Sequence, residues 1–364
     1  MIVGVNATAL TAPEVRGWTR YAVNLLRELR TLGVGLRLYS RGPLYPAHLT
    51  ALGAGDCSVT VAPPMRYALW EQGWLPRQCR RDGVALLHSL HNFGLPLRCP
   101  VPRVLTLHDA IDSVYYQDRL PLRDWLRPGN ARGRLMHQVA RRSADRVVTV
   151  SEHAKADLVR RFGLPAGRVT VIPEAADSRF HTPPTAAESA RVAATYRLTR
   201  PYFFYVGGAE GRKNVGFLVT AFARAGLPGV ELVLAGSGHG VPAAGVRAIG
   251  YVPDADLPAL YAGALGFVYP SHYEGFGLQL VEAMAAGCPT LAADATCLPE
   301  VLGRGGDTFP LGDPAPLTEL LRRLYGDPAY RADLAARGRT RAGDFSWARA
   351  ARATLAVYDE VLRT

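Results

Sequence analysis

From its first residues the chain alternates short β-branched runs with longer stretches of helical period, and this restricts it to α/β units built on parallel sheets. A sandwich or a helical bundle would not produce the pattern. Strands are expected at Ile2 to Val5, Gly35 to Tyr39, Val59 to Ala62, Val84 to His88, Arg103 to Leu107, Arg146 to Val150 and Val169 to Ile172. Helices fill the gaps. The clearest takes Ser151 as N-cap, carries Glu152 in its first turn, and stops at Gly163. Between Pro173 and Pro201 the alternation lapses, with a break at Pro183-Pro184 before a short helical stretch at Ala186 to Tyr196. It then restarts: strand Tyr202 to Val206, helix from Asn214, strand Val230 to Ala235, helix Asp254 to Ala262, strand Leu265 to Tyr269, helix Phe276 to Ala286, strand Pro289 to Ala292.

A chain of 364 residues exceeds what one core usually organises, so two doubly wound domains are expected, residues 1–180 and 181–345, facing one another. Ligands of such sheets bind at the carboxyl ends of the strands, which places them in the cleft. The five cysteines form no C-x-x-C pair, which suggests neither a disulfide framework nor a zinc knuckle. The opening residues read as a strand rather than a secretion signal, and the weakly polar run from Leu257 to Pro270 is too short to span a bilayer. The expected location is the cytoplasm. A formal charge of +11 implies acidic partners without choosing among them. Only Lys155 and Lys213 are lysines among the 42 basic residues, so Lys213 stands out in an arginine-rich background.

Tyr202-Phe203-Phe204-Tyr205-Val206 runs into Gly207-Gly208-Ala209-Glu210-Gly211-Arg212-Lys213-Asn214. Glycines let backbone approach an anion, and a following helix offers free N–H groups. Arg212 adds a planar fork and Lys213 a point charge, a pairing suited to a diphosphate. No G-x-x-x-x-G-K-[ST] is present, so this is not a P-loop. Alone, the segment also fits an ordinary β–α turn with a solvated basic pair.

The second constellation is Tyr269-Pro270-Ser271-His272-Tyr273-Glu274-Gly275-Phe276-Gly277-Leu278-Gln279-Leu280-Val281-Glu282-Ala283-Met284. Glu274 precedes a helix and Glu282 lies two turns into it, so both carboxylates can reach one ligand and accept from vicinal hydroxyls. Taken alone, Glu282 reads more readily as an exposed helix residue.

The E-x7-E of Glu274 and Glu282, set in Y-P-S-x-x-E-G-F-G-L-x-L-V-E-A-M-A-x-G-x-P and preceded in order by Gly207, Gly208, Arg212 and Lys213, resembles glycosyltransferase family 4. The resemblance spans nearly the whole chain. Gly17-Trp18-Thr19-Arg20-Tyr21 is similar to the family's first glycine loop, with one glycine where a pair is common; Thr106-Leu107-His108-Asp109 is similar to its T-x-H-D, and Thr149-Val150-Ser151 to its T-V-S junction. Val171-Ile172-Pro173-Glu174-Ala175-Ala176-Asp177 departs from the usual I-P-N-G-V-D at Glu174 and Ala175, in a turn taken as structural.

The resemblance implies a GT-B fold, with two Rossmann-like domains around a cleft and a C-terminal helix, about residues 346–364, crossing back to the acceptor-side N-terminal domain. It implies a retaining transferase moving a hexosyl group from a nucleotide sugar, GDP-mannose first and a UDP-sugar next, to a glycan, lipid-linked or small-molecule acceptor. Arg212 and Lys213 would bind the diphosphate, Glu274 the donor-sugar hydroxyls and Glu282 the ribose. Gly275, Phe276, Gly277 and Leu278 would line phosphate and sugar. Gly17 would let its loop close over the donor, Val252 would sit in a base-binding loop, and His108 would face the reacting sugar. A lone histidine like His108 also fits a core hydrogen-bonding role.

No D-x-D motif occurs where a metal-dependent transferase needs one, so the cationic pair is expected to substitute for the ion, with no metal and no cofactor. The seven arginines between Arg123 and Arg146, interleaved with Trp125, Leu126, Leu135 and Met136, fit either a solvated helix face or peripheral contact with an anionic membrane. No nucleic-acid-binding module is apparent. Two other readings stay open: a nucleotide-sugar epimerase of the same architecture, and a sugar-nucleotide-binding protein without turnover.

Overall fold

The apolar runs pair into two all-parallel sheets, each buried between layers of helices. The computed structural model describes residues 1–13, 17–53, 57–111, 128–240 and 243–363. By internal contacts the chain divides into two units, Met1–Glu174 with Trp347–Thr364, and Ala175–Ser346.

In the first unit, β1 (Ile2–Asn6), β2 (Gly35–Ser40), β3 (Ser58–Val61), β4 (Leu86–Ser89), β5 (Arg103–Thr106), β6 (Arg146–Thr149) and β7 (Val169–Val171) form a sheet of order β3-β2-β1-β4-β5-β6-β7. Central strands are apolar on both faces, as parallel sheets require: Val3, Val5, Leu87, Leu105 and Val147 are fully buried. Helix Gly17–Thr31 and the C-terminal helix Trp347–Arg363 belong to this unit, and Trp347 meets Tyr21 edge-on at 5.7 Å. Tyr358 of the C-terminal helix reaches into the sheet, its hydroxyl 2.6 Å from His88 Nδ1. The last helix therefore completes the core of the first unit.

In the second unit, β8 (Tyr202–Val206), β9 (Glu231–Ala235), β10 (Val246–Gly250), β11 (Gly266–Tyr269), β12 (Thr290–Ala293) and β13 (Asp307–Phe309) follow the order β10-β9-β8-β11-β12-β13. The winding direction reverses between β1 and β4 in the first sheet and between β8 and β11 in the second. At each reversal the loops leaving two adjacent strands diverge, opening a crevice at their carboxyl ends.

All seven strands expected in the first half are present, with ends displaced by at most two residues. In the second unit β10 and β13 escape the sequence reading. β10 is largely half-buried at a sheet edge, and β13 is three residues long after Gly305-Gly306. Gly306 sits so close to β12 that an added Cβ would lie 2.2 Å from the Thr290 carbonyl oxygen. The helix expected from Phe276 starts at Leu278 instead, and the one expected from Asp254 starts at Leu257. Among the described residues no helix is long and apolar enough to cross a membrane.

Candidate functional site

The two constellations picked out in the sequence lie on the loops leaving β8 and β11, which are neighbours in the sheet. Close backbone approach shapes the first loop. The Gly207 amide donates to the Ala235 carbonyl at 3.0 Å, and an added Cβ on Gly236 would lie 2.0 Å from the Gly207 oxygen. His239 Nε2 sits 2.9 Å from that same oxygen. Gly208 follows without crowding, an added Cβ meeting only Glu210 Oε1 at 3.4 Å. Arg212 and Lys213 precede the helix expected from Asn214, which begins at Val215. They occupy a 3-10 turn, Gly211–Lys213, ended by Asn214 in the left-handed region (φ 54°), and helix Val215–Ala225 follows. The His272 amide donates to the Arg212 carbonyl at 2.8 Å and ties the two loops together.

The electrostatics converge on one atom. Lys213 Nζ donates to Glu274 Oε1 at 2.7 Å and Arg212 Nη1 to the same oxygen at 2.9 Å. Lys213 Nζ also donates to the Tyr269 hydroxyl at 2.9 Å, which donates in turn to Gln279 Oε1. Arg212 pairs with Glu210 as well, 3.0 Å away, but that carboxylate is half exposed and screened by water. Lys213 and Glu274 are buried, at 6% and 7% exposure. Burial lowers the Lys213 pKa, with Glu274 opposing the shift. Burial alone would raise that of Glu274; Lys213 and then Arg212 outweigh it and hold the carboxyl below its ordinary value. Two cations converge on one buried carboxylate beside a glycine loop, while the second carboxylate, Glu210, is half exposed, an arrangement in which a ligand anion can compete for the cationic pair.

Glu282 is not the exposed helix residue that one reading allowed. It is 1% exposed on helix Leu278–Ala285, and Oε2 accepts from the Tyr261 hydroxyl at 3.4 Å. Gly277 caps that helix in the left-handed region (φ 88°), where an added Cβ would also lie 3.0 Å from Leu298 Cδ2. Gly275 is buried, and Phe276 packs edge-on against Phe345 at 5.6 Å. Leu278 is the first helical residue, and Val252 is buried just after β10. Tyr269 lies in the quoted motif but was given no role; its hydroxyl places Lys213.

In the first unit, Gly17 opens the first helix with open space around it, while residues 14–16 before it lie outside the described residues. His108 follows β5. Its Nδ1 is 3.2 Å from Glu174 Oε1 and its Nε2 is 3.1 Å from the Leu90 carbonyl oxygen, with Tyr21 edge-on at 4.6 Å. Burial disfavours the charged ring, but the Glu174 carboxylate outweighs it and the pKa is raised. Glu174, read from sequence as part of a structural turn, thus touches a named site residue.

Of the basic stretch 123–146, residues 123–127 lie outside the described residues, as do the side chains of 128–134 and 136. Arg141 stacks 3.6 Å over Phe162, where burial lowers its pKa to about 10, and Arg146 donates to Glu360 at 2.7 Å. Leu135 is 61% exposed. A cavity of about 430 Å³ borders the β8 loop at Glu210, Gly211, Asn214 and His239. A larger one, about 520 Å³, opens at Arg41, Arg66 and Tyr67 in the first unit.

Comparison with known proteins gives the class. Sucrose-phosphate synthase from Thermosynechococcus elongatus has a similar structure, with a TM-score of 0.72, 21% identity and coverage of 100% of this chain and 99% of that one. Anabaena Alr3699/HepE, solved in complex with UDP-glucose, is similar at a TM-score of 0.76, with 17% identity and 99% coverage of each chain. A family model described as Glycosyltransferase Family 4 matches residues 15–180, and one described as Glycosyl transferases group 1 matches residues 188–341. The protein is a GT-B glycosyltransferase, a hexosyltransferase. The O-antigen chain mannosyltransferase B of Escherichia coli is 35% identical over 78% of this chain and 72% of that protein. The MMP alpha-(1->4)-mannosyltransferase of Mycolicibacterium hassiacum (strain DSM 44199 / CIP 105218 / JCM 12690 / 3849) is 30% identical over the same shares. The chain belongs to glycosyltransferase family 4.

Proposed function

We propose that the chain is a retaining mannosyltransferase that moves a mannosyl group from GDP-mannose to a hydroxyl of a glycan or lipid-linked glycan acceptor. The observation that carries the reading is the buried convergence of Arg212 and Lys213 on Glu274 Oε1 at the carboxyl ends of β8 and β11. The names of the two mannosyltransferase relatives support the choice of sugar. A UDP-sugar is the second reading, because the Anabaena protein of like fold was solved with UDP-glucose.

In this mechanism the bond from the anomeric carbon to the phosphate oxygen breaks and negative charge grows on the departing diphosphate. Arg212 and Lys213 are already fixed where that charge develops, so they stabilise the transition state more than the ground state. The acceptor oxygen bonds to the anomeric carbon on the same face, and its proton leaves on the phosphate. Glu274 holds donor-sugar hydroxyls, Glu282 the ribose, and backbone of residues 275–278 the phosphate and sugar. Gly17 and Val252 border the donor, and His108 acts at the reacting sugar. The cationic pair takes the place of a metal ion.

Thermal shift with GDP and UDP tests the donor site, and GDP release from GDP-mannose with a panel of glycan acceptors tests the reaction. GDP should raise the midpoint more than UDP, and turnover should survive EDTA. Epimerised donor, or donor bound without product, would replace this reading by an isomerase or a binding protein. Failure of both nucleotides to stabilise the protein would sink the donor-site assignment.

A further inference from the structure

The bonds made by His108 restrict what it can do. The Leu90 carbonyl oxygen, 3.1 Å from Nε2, can only accept a hydrogen bond, and the Glu174 carboxylate, 3.2 Å from Nδ1, is likewise an acceptor. A neutral imidazole has one N–H and satisfies one of these partners. An imidazolium satisfies both. The backbone is arranged for this ring position: the His108 amide donates to Asn92 Oδ1 at 2.9 Å, so the segment after β4 grips the residue from two sides.

We propose that Glu174 is a positioning residue for the transfer reaction, holding His108 as a doubly donating imidazolium that acts as a fixed positive charge and not as a proton acceptor. In this state both N–H bonds are committed, and no nitrogen lone pair is available to take a proton from an acceptor hydroxyl. The inference rests on the reading of His108 as a residue of the reacting site.

Two carboxylates and two neutral imidazoles act on or beside His108. Asp109, next in sequence, favours its charged form, as does Glu174. His88 on β4 and His91 just after it are both held neutral by burial, with His108 adding to the effect, and their pKa values fall to about 3. Tyr21, from helix Gly17–Thr31, is pushed well above its ordinary range by burial.

A base and a fixed cation predict opposite pH profiles. As pH rises through the His108 pKa, a base becomes active and a fixed imidazolium is lost. The turnover of GDP-mannose by the full chain should therefore fall on the alkaline side. In Glu174→Gln, which keeps an acceptor but removes the charge, that limb should move to lower pH by about one unit or more, a tenfold loss of rate per unit. A rate that climbs with pH, or a limb that stays in place in Glu174→Gln, would overturn the proposal. A second readout is independent of turnover: nitrogen NMR of histidine-labelled wild-type chain, with the His108 signal identified by its loss in His108→Asn. Two protonated ring nitrogens at neutral pH support the proposal, and a single-tautomer neutral ring overturns it even if no nucleotide sugar is used. The wild-type titration needs no variant to fold.

Discussion

Lys213 is the residue on which the donor reading depends, and its surroundings explain why an arginine-rich chain keeps a lysine there. Its stem is enclosed, its ammonium is 5.1 Å from the Tyr269 ring centroid, and it makes short bonds to two different oxygens. A compact ammonium fits this geometry; a planar guanidinium is wider and spreads its charge over a fork. Lys213→Ala should lower kcat/KM by roughly two to three orders of magnitude, the range seen when one preorganised donor to a developing anion is removed. Arg212 still pairs with Glu274, so circular dichroism should show the fold retained. A near-normal rate would remove Lys213 from the leaving-group role. A pH effect follows from the same site. Burial depresses the Lys213 pKa, and only the charged form attracts a diphosphate, so GDP affinity should weaken as pH rises through a midpoint below the ordinary lysine value of 10.5. Calorimetry should show proton uptake on GDP binding in that range. Affinity independent of pH up to 10.5 would contradict it.

At the level of elements, the site depends on how β11 passes into its helix. Gly277 must take φ 88° and leaves little room for a side chain, so the helix can begin only at Leu278, which keeps Glu282 on the inner face one turn on. Gly277→Ala combines a left-handed backbone with a contact at 3.0 Å and should cost about 1–3 kcal/mol of stability. GDP should then stabilise the variant less than the wild type; an unchanged melting temperature would show that the turn relaxes freely. Sequence period found the strands because parallel, doubly covered strands are apolar runs, and it found the Ser151–Gly163 helix because both caps are written locally: Ser151 Oγ accepts from the Ala154 amide and Gly163 takes φ 63°. It could not find the Gly277 start, the 3-10 turn at Arg212, or the Glu174–His108 pair. The Gly277 start depends on its meeting with Leu298, and the bonds of Arg212, Lys213 and His108 join segments 61 to 66 residues apart at strand ends. Glu174 left a trace in the sequence only as a departure from the expected turn.

For the molecule as a whole, the two units differ in how they should respond to acid, and the chain carries its own reporter of the difference. Of the five tryptophans, Trp18, Trp70, Trp74 and Trp347 belong to the described part of the first unit and Trp125 lies outside the described residues; none lies in the second unit's span, so tryptophan fluorescence does not report the unfolding of the second unit. The first unit buries two neutral histidines. His88 bridges the Thr106 and Tyr358 hydroxyls and so links the sheet to the C-terminal helix, while His91 lies edge-on to Phe93 with neither ring nitrogen hydrogen-bonded among the described residues. Burial lowers both to about 3, whereas in the unfolded chain each protonates near 6.5. Between those values the unfolded state binds more protons, so stability is complete above about 6.5 and falls as pH drops, levelling near 3. Each ring should account for roughly 2 kcal/mol by pH 5 relative to neutral pH. Urea unfolding followed by tryptophan fluorescence should therefore show a lower midpoint at pH 5 than at pH 7.5. His108, whose pKa is raised, acts in the opposite sense over this range; His91→Phe removes one of the two rings that cost stability in acid and should flatten the slope. A midpoint that does not move between those pH values, or a slope that His91→Phe leaves unchanged, would mean that these rings are solvated and free to protonate in the folded chain.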